Sequence, residues 1–349
     1  MTRWLLNHFH SSTLLGVSVV ILTLGGVALL LIGPRLARAA DQLADRTGIG
    51  EALMGALFVG ASTSLSGMVV SVAAGVSGLG ALAFSNALGG IAAQTMFLSL
   101  ADITYRRANL EHVAASLENI IEGVLLLTLM SLIVVATAVP SFALWSIHPT
   151  SFVMPFAYGL GLHLVARART LPMWGPRETF ETQTDVPRAA HGQLRLGWLS
   201  ARFAVLAALV AGVGYALAVS SELLVRTSGI SQTVVGTLLS GVVTSLPELV
   251  TTLAAVRQGA LTLAVGGILG GNAFDVLLVA FSDAAYREGP LYAALAAEDL
   301  LNVGMTSVMT GILVIGLLYR QRRGVGRIGF ESALVLALYG LLVLLLIQR

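Results

Sequence analysis

The stretch "TSLPE", residues 244–248, sets a carboxylate inside an apolar run, and "TSLSG", residues 63–67, opens with the same three residues. Where the later copy has Pro247 and Glu248, the earlier one has Ser66 and Gly67. Sliding the chain on itself by 181 positions lays 41–106 on 222–287 without a gap, and 22 of the 66 pairs are identical. The matches include "GI" (48–49, 229–230), "LGG" (88–90, 269–271) and "D..YR" (102–106, 283–287). Shared apolar composition gives chance matches but does not hold polar and turn residues in one register, so the chain is written twice.

With 349 residues, 56% hydrophobic, 11% charged and a mean hydropathy of +0.87, the chain is not soluble in composition. Apolar runs near the ~20 residues that cross a bilayer recur along it. They predict ten spans: 12–33, 51–76, 79–101, 112–138, 142–166, 198–220, 231–256, 261–283, 294–318 and 328–347. Each copy holds five, an odd number, so the second half enters the membrane from the opposite side. The expected fold is an all-α membrane protein of about ten transmembrane helices in two inverted-topology repeats of five. Residues 1–166 form the first repeat, 167–197 a polar, proline-containing linker, and 198–349 the second repeat. Two polar-apolar segments, "ARAADQLADRTGIG" and "SSELLVRTSGIS", read as interfacial helices ahead of the motif-bearing spans.

All 20 basic residues are arginine. With the amino terminus outside, 16 of them fall in inner loops and only Arg3, Arg226, Arg287 and Arg349 outside. That bias predicts a plasma (inner) membrane protein with both termini outside and the 167–197 loop in the cytoplasm. Topology accounts for the arginines without a nucleic-acid partner; membrane lipid and small inorganic cations are the expected ones. "ARA" at 37–39 resembles a signal cleavage site, but the run before it is as long as a span and closes at Pro34 and Arg35, which favours a retained first helix. There is no cysteine, so no disulfide or thiolate chemistry is available. His8, His10, His112, His148, His163 and His191 form no ligand-spaced pair, and nothing in the chain suggests an enzyme or a cofactor.

Glu248 is isolated in its span, the nearest other charges being Arg226 and Arg257. A carboxylate there is costly unless it faces a cavity, a cation or a proton. Thr244, four residues before it, shares its helix face, and Ser245 lies at the edge of that face. Pro247 lacks an amide and loosens the turn before it, which would free the Val243 carbonyl. These are hard oxygen ligands, suited to sodium, calcium or a proton. The next span opens "GGILGGNAFD", with Gly266, Gly267, Gly270 and Gly271 removing bulk and Asn272 and Asp275 three apart on one face. Asp102 with Arg106, and Asp283 with Arg287, read as capping or loop ion pairs at helix ends; Glu118, Glu122 and Asp299 are left either lining a cavity or near the interface.

"SGVVTSLPELVTTLAAVRQG" followed by "GGILGGNAFD" resembles the second α-repeat of the cation/calcium exchanger superfamily, approximately G-T-S-L-P-E and then G-N-x-x-G-S-N-x-F-N or D. The resemblance implies ten helices in two inverted halves, with helices 2, 3, 7 and 8 enclosing the ions. It places Thr244, Ser245 and Glu248 at the ion site and matches Asn272 and Asp275 to later polar positions, the last linked with potassium in the potassium-dependent branch. The first copy keeps Thr63, Ser64 and Asn86. It has Gly67, Ile91 and Gln94 where the second copy has Glu248, Asn272 and Asp275, and Gly267 leaves the position of Asn86 empty in the second copy. The implied function is a sodium/calcium-exchanger-like antiporter moving calcium or a monovalent cation against sodium or protons by alternating access. The cation is the only ligand, and Glu248 and Asp275 are its metal-binding carboxylates. One of two central carboxylates is lost, which should weaken divalent binding most, and Asp275 restores the charge only if it faces the same cavity. The competing expectation is a non-transporting membrane scaffold or regulatory protein that retains the exchanger fold.

Overall fold

A computed structural model describes residues 2–47, 60–105, 107–139, 143–170, 172–181, 195–324 and 328–348, and everything in them is helix, turn or loop apart from one isolated bridge, Leu144 with Ile147. The helices, in chain order, begin with α1 (Thr2–His8), α2 (Ser11–Thr47), α3 (Leu65–Val76) and α4 (Gly80–Thr104). Then come α5 (Leu110–Val113), α6 (Leu117–Ala138), α7 (Pro149–Thr170) and α8 (Leu196–Ser228). The second half continues with α9 (Gln232–Thr244, its middle a π-helix over Val235–Ser240), α10 (Leu246–Arg257), α11 (Leu261–Asp275) and α12 (Leu277–Ala285). A 3-10 turn over Leu291–Ala294 precedes α13 (Ala297–Tyr319) and α14 (Phe330–Ile347).

Seven of these stretches are long and apolar enough to cross a membrane, and α9 with α10, bent by 44°, makes an eighth. The sequence expectation for 51–76 is described only from residue 60, where the short apolar α3 carries it. Burial sorts the helices: 89% of the apolar window of α4 is inside the protein and 78% of that of α11–α12, against 28% for α2 and 33% for α8. The motif-bearing helices are therefore central, and α2 and α8 pack on each other outside them, with the apolar side chains on their outer faces suited to lipid.

Three expected boundaries move. Pro34 does not close the first helix, and "ARAADQLADRTGIG" is no separate interfacial helix; α2 runs through both to Thr47, with 48–50 outside the described residues. A proline costs one amide and some bend, and burial of Leu36, Ala37, Ala39 and Ala40 outweighs it. "SSELLVRTSGIS" is likewise the last turns of α8, which stops at Gly229 with φ +73, a left-handed cap that glycine adopts without strain. The span expected from 142 starts at Pro149, because Trp145 and Ser146 adopt positive φ in the turn closed by the Leu144–Ile147 bridge.

The repeat is visible in single bonds. Asp102 Oδ1 accepts the Leu110 amide at 2.7 Å, and Asp283 Oδ1, 181 positions on, accepts the Leu291 amide at 2.7 Å. Both acids anchor helix ends as expected, and Asp283 is completed by the His148 amide and Ser151 Oγ, with no ion pair to Arg287. Arg106 lies outside the described residues. Of the linker, 172–181 lies against the bundle, where Arg320 donates to the Arg177 carbonyl, Arg322 pairs with Glu181, and His112 Nε2 meets Thr179 Oγ1.

Candidate cation site

Each "TSL" breaks its helix at the same residue. Ser64 has φ −77 and ψ 1, Ser245 has φ −91 and ψ 0, and a new helix, α3 or α10, begins at the following leucine. Pro247 stands in the first turn of α10, where its missing amide costs nothing. The first copy breaks identically with Ser66 in that place, so the serine turn and the packing around it set the break, and proline is dispensable for it. The two broken helices are tied together: Ser66 Oγ donates to the Thr244 carbonyl at 3.2 Å.

The breaks meet over a small cavity, about 10 Å³, close to what one water molecule requires. The first half supplies Ser64, Gly67, Asn86 and Gln94 to its wall, and the second half Thr244, Ser245, Glu248 and Asp275. Six of the eight residues proposed from sequence therefore converge. Two stand back. Thr63 turns its hydroxyl to the Gly60 carbonyl at 3.0 Å while lying against the Glu248 carboxylate. Asn272 points to Thr95 Oγ1 at 3.1 Å, one turn of α11 away from the Asp275 side of the cavity.

Gln94 is the wall residue that sequence reading passed over. Its Nε2 donates to Asp275 Oδ2 at 2.7 Å and approaches Ser245 Oγ at 3.3 Å. The available signal was its register, since it is the repeat counterpart of Asp275. Asn86 uses its amide nitrogen on the Gly67 carbonyl at 3.1 Å and on Ser71 Oγ at 2.9 Å, which leaves its oxygen for the cavity side.

Glu248 and Asp275 are 5% and 4% exposed, and no arginine or histidine shares the wall with them. Two buried like charges without a base require a cation or protons to offset them. Among the described residues, Glu248 Oε2, Asp275 Oδ1, Ser64 Oγ, Asn86 Oδ1 and Gln94 Oε1 are buried oxygens with no hydrogen-bond donor. Buried acceptors are normally satisfied, and five around one small space are oxygens of the kind that could hold a hard cation. Gly67, the first-copy counterpart of Glu248, is not crowded: a Cβ there would stand 3.6 Å from Thr244 Oγ1 and from Leu278 Cδ1.

The family model described as "Sodium/calcium exchanger protein" matches residues 17–166 and 198–348. The chain is 26% identical over 313 residues to the Inner membrane protein YrbG of Escherichia coli (strain K12), covering 89% of this chain and 92% of that one. It is 45% identical over 76 residues to the Sodium/calcium exchanger MaX1 of Methanosarcina acetivorans, a match of 21% of each chain. Among solved structures, native YfkE matches with a TM-score of 0.64 at 14% identity, covering 97% of this chain and 98% of that one. The sodium-calcium exchanger NCX_Mj matches with a TM-score of 0.53 at 17% identity, covering 95% and 98%. At such identities these likenesses speak for the fold.

Proposed function

The chain belongs to the sodium/calcium exchanger protein family, and from that premise we propose that it is a secondary active cation antiporter with its transport site in the cavity between the two broken helices. The observation that carries the reading is the meeting of Glu248 and Asp275 in one small space walled by neutral oxygens from both halves. Two carboxylates match one calcium ion or two monovalent charges, sodium or protons, so the site can exchange one set for the other and stay neutral. One carboxylate of the expected pair is absent at Gly67, and Asp275 supplies its charge from the same half as Glu248. Thr244, Ser245, Ser64, Asn86 and Gln94 contribute neutral oxygens, with Thr63 behind Glu248 and Asn272 holding α11 against α4.

On this reading ten spans form two inverted halves of five, joined by the cytoplasmic 167–197 segment, in an inner membrane with both termini outside. Inverted halves provide alternating access because each opens toward the side that the other closes. Calcium, sodium, potassium and pH gradients imposed on proteoliposomes of the purified protein test the reading, with cation flux as the readout. Flux under a calcium gradient opposed by sodium or protons is expected. Wild type silent under every gradient would favour a non-transporting scaffold, the reading to which Gly67 lends support. Tags at the two termini should both be accessible from outside, and finding them on opposite faces would remove the five-plus-five topology.

A further inference from the structure

Away from the central cavity, the acids that sequence left unassigned separate clearly. Asp299 is saturated, accepting from Ser85 Oγ at 2.7 Å, Thr233 Oγ1 at 2.8 Å and the Ala296 amide at 2.9 Å. Glu122 is not. It lies five residues into α6, inside a span, its Oε2 is buried without a hydrogen-bond donor, and it has no ion-pair partner among the described residues. A carboxylate so placed marks an ion pathway unless something offsets it.

The surroundings of Glu122 give the pathway a direction. Its carboxylate lies on bare backbone of α11: a Cβ on Gly270 would stand 3.4 Å from Glu122 Oε1, and one on Gly266 3.4 Å from Oε2. Asp275 follows Gly270 by five residues on that same helix, about 7.5 Å along its axis. Tyr158 of α7 is buried, its ring edge on Phe274, the residue before Asp275, with centroids 6.0 Å apart. On the other side, Glu118 precedes Glu122 by one helical turn, and Arg169 lies in the last turn of α7. Glu118 and Glu122 thus share one face of α6, and Glu122 rests on the glycine stretch of the helix that ends at Asp275.

We propose that Glu122 is a second, transient binding stop for the transported inorganic cation, passing it between the end of the bundle where α6 begins and Asp275. The inference rests on the antiport reading of the central cavity. Glycine at 266 and 270 keeps side chains of α11 off the carboxylate, and Tyr158 packs on Phe274 beside Asp275.

Two measurements test it. In detergent, dicyclohexylcarbodiimide modification of Glu122 is followed by mass spectrometry with and without calcium or sodium. Cation at ten times its dissociation constant should slow labelling about tenfold, and still do so in Glu248→Gln. Labelling indifferent to cations overturns the inference, whether or not the protein carries flux. In proteoliposomes, Glu122→Gln should raise KM several-fold for cation presented at the face where α6 begins, leave the opposite face unchanged, and be partly rescued by Glu122→Asp. Equal effects at both faces, or none, overturn it. Wild type without flux overturns the antiport reading instead, and the labelling result then decides Glu122 by itself.

Discussion

Gln94 and Asp275 occupy the same position in the two halves of the chain, 181 residues apart, and they touch: Gln94 Nε2 donates to Asp275 Oδ2 at 2.7 Å. One half thus positions the carboxylate of the other with an amide in the place where an acid would repel it. Asp275→Asn keeps the shape but halves the charge of the cavity. It should lower calcium affinity by more than about tenfold while sparing monovalent binding, as isothermal titration of the purified protein would show. Equal loss for calcium and sodium would mean that Asp275 acts through shape alone.

Glu248→Gln retains size and hydrogen bonding and removes the carboxylate at the α10 break. Exchange should vanish while insertion and the thermal midpoint stay near wild type, read by flux and by unfolding in detergent side by side. Flux that survives the substitution unchanged would place the site elsewhere.

Gly67→Glu places an acid at the first break. The position has ordinary van der Waals room for a Cβ, with Thr244 Oγ1 and Leu278 Cδ1 both at 3.6 Å. The added carboxylate should shift preference toward calcium over sodium, measured as the ratio of the two fluxes. A ratio that stays put would indicate that the new side chain turns away from the cavity.

The crossing of α4 over α9 is set by Gly89, where a Cβ would come within 2.4 Å of Thr237 Cα and 2.7 Å of its carbonyl oxygen. Backbone cannot swing aside as a side chain can, so Gly89→Ala should destabilise by about 1–3 kcal/mol. Lowered thermal unfolding together with reduced flux is the expected result, and an unchanged midpoint would show that the crossing relaxes freely.

At the head of α7, burial lowers the basicity of His148 from an ordinary pKa of 6.5, with Asp283 opposing, and its Nδ1 accepts the Thr150 amide at 3.2 Å. The folded protein therefore favours the neutral ring. The unfolded chain binds more protons just below pH 6.5, so stability falls as pH drops through that region and is unaffected above it. The protection factors of the amides at 148–151, corrected for the intrinsic exchange rate at each pH, should fall on acidification, and His148→Gln should remove the dependence.

The sequence by itself determined the membrane class, the duplication and six of the polar residues that meet at the cavity, because these are properties of spacing and register. Span length follows from the thickness of a bilayer, a common face from four-residue spacing, and the repeat from matched turns. It also made Asp102 and Asp283 equivalent anchors, since each takes an amide eight residues on. Tertiary structure decided the rest. Pro34 reads as a stop in sequence and is absorbed in α2, because packed neighbours outweigh one lost amide bond. Asn272 and Asp275 are indistinguishable by spacing, yet one faces Thr95 and the other the cavity, since α11 gives way to α12 at Asp275. Gln94 became a wall residue, and Glu122 an acid with one buried, unpartnered oxygen on glycine backbone, only where helices distant in sequence cross. Local periodicity fixes which face a residue occupies within its own helix; which neighbour that face meets is set by packing among helices, and no spacing along one helix encodes it.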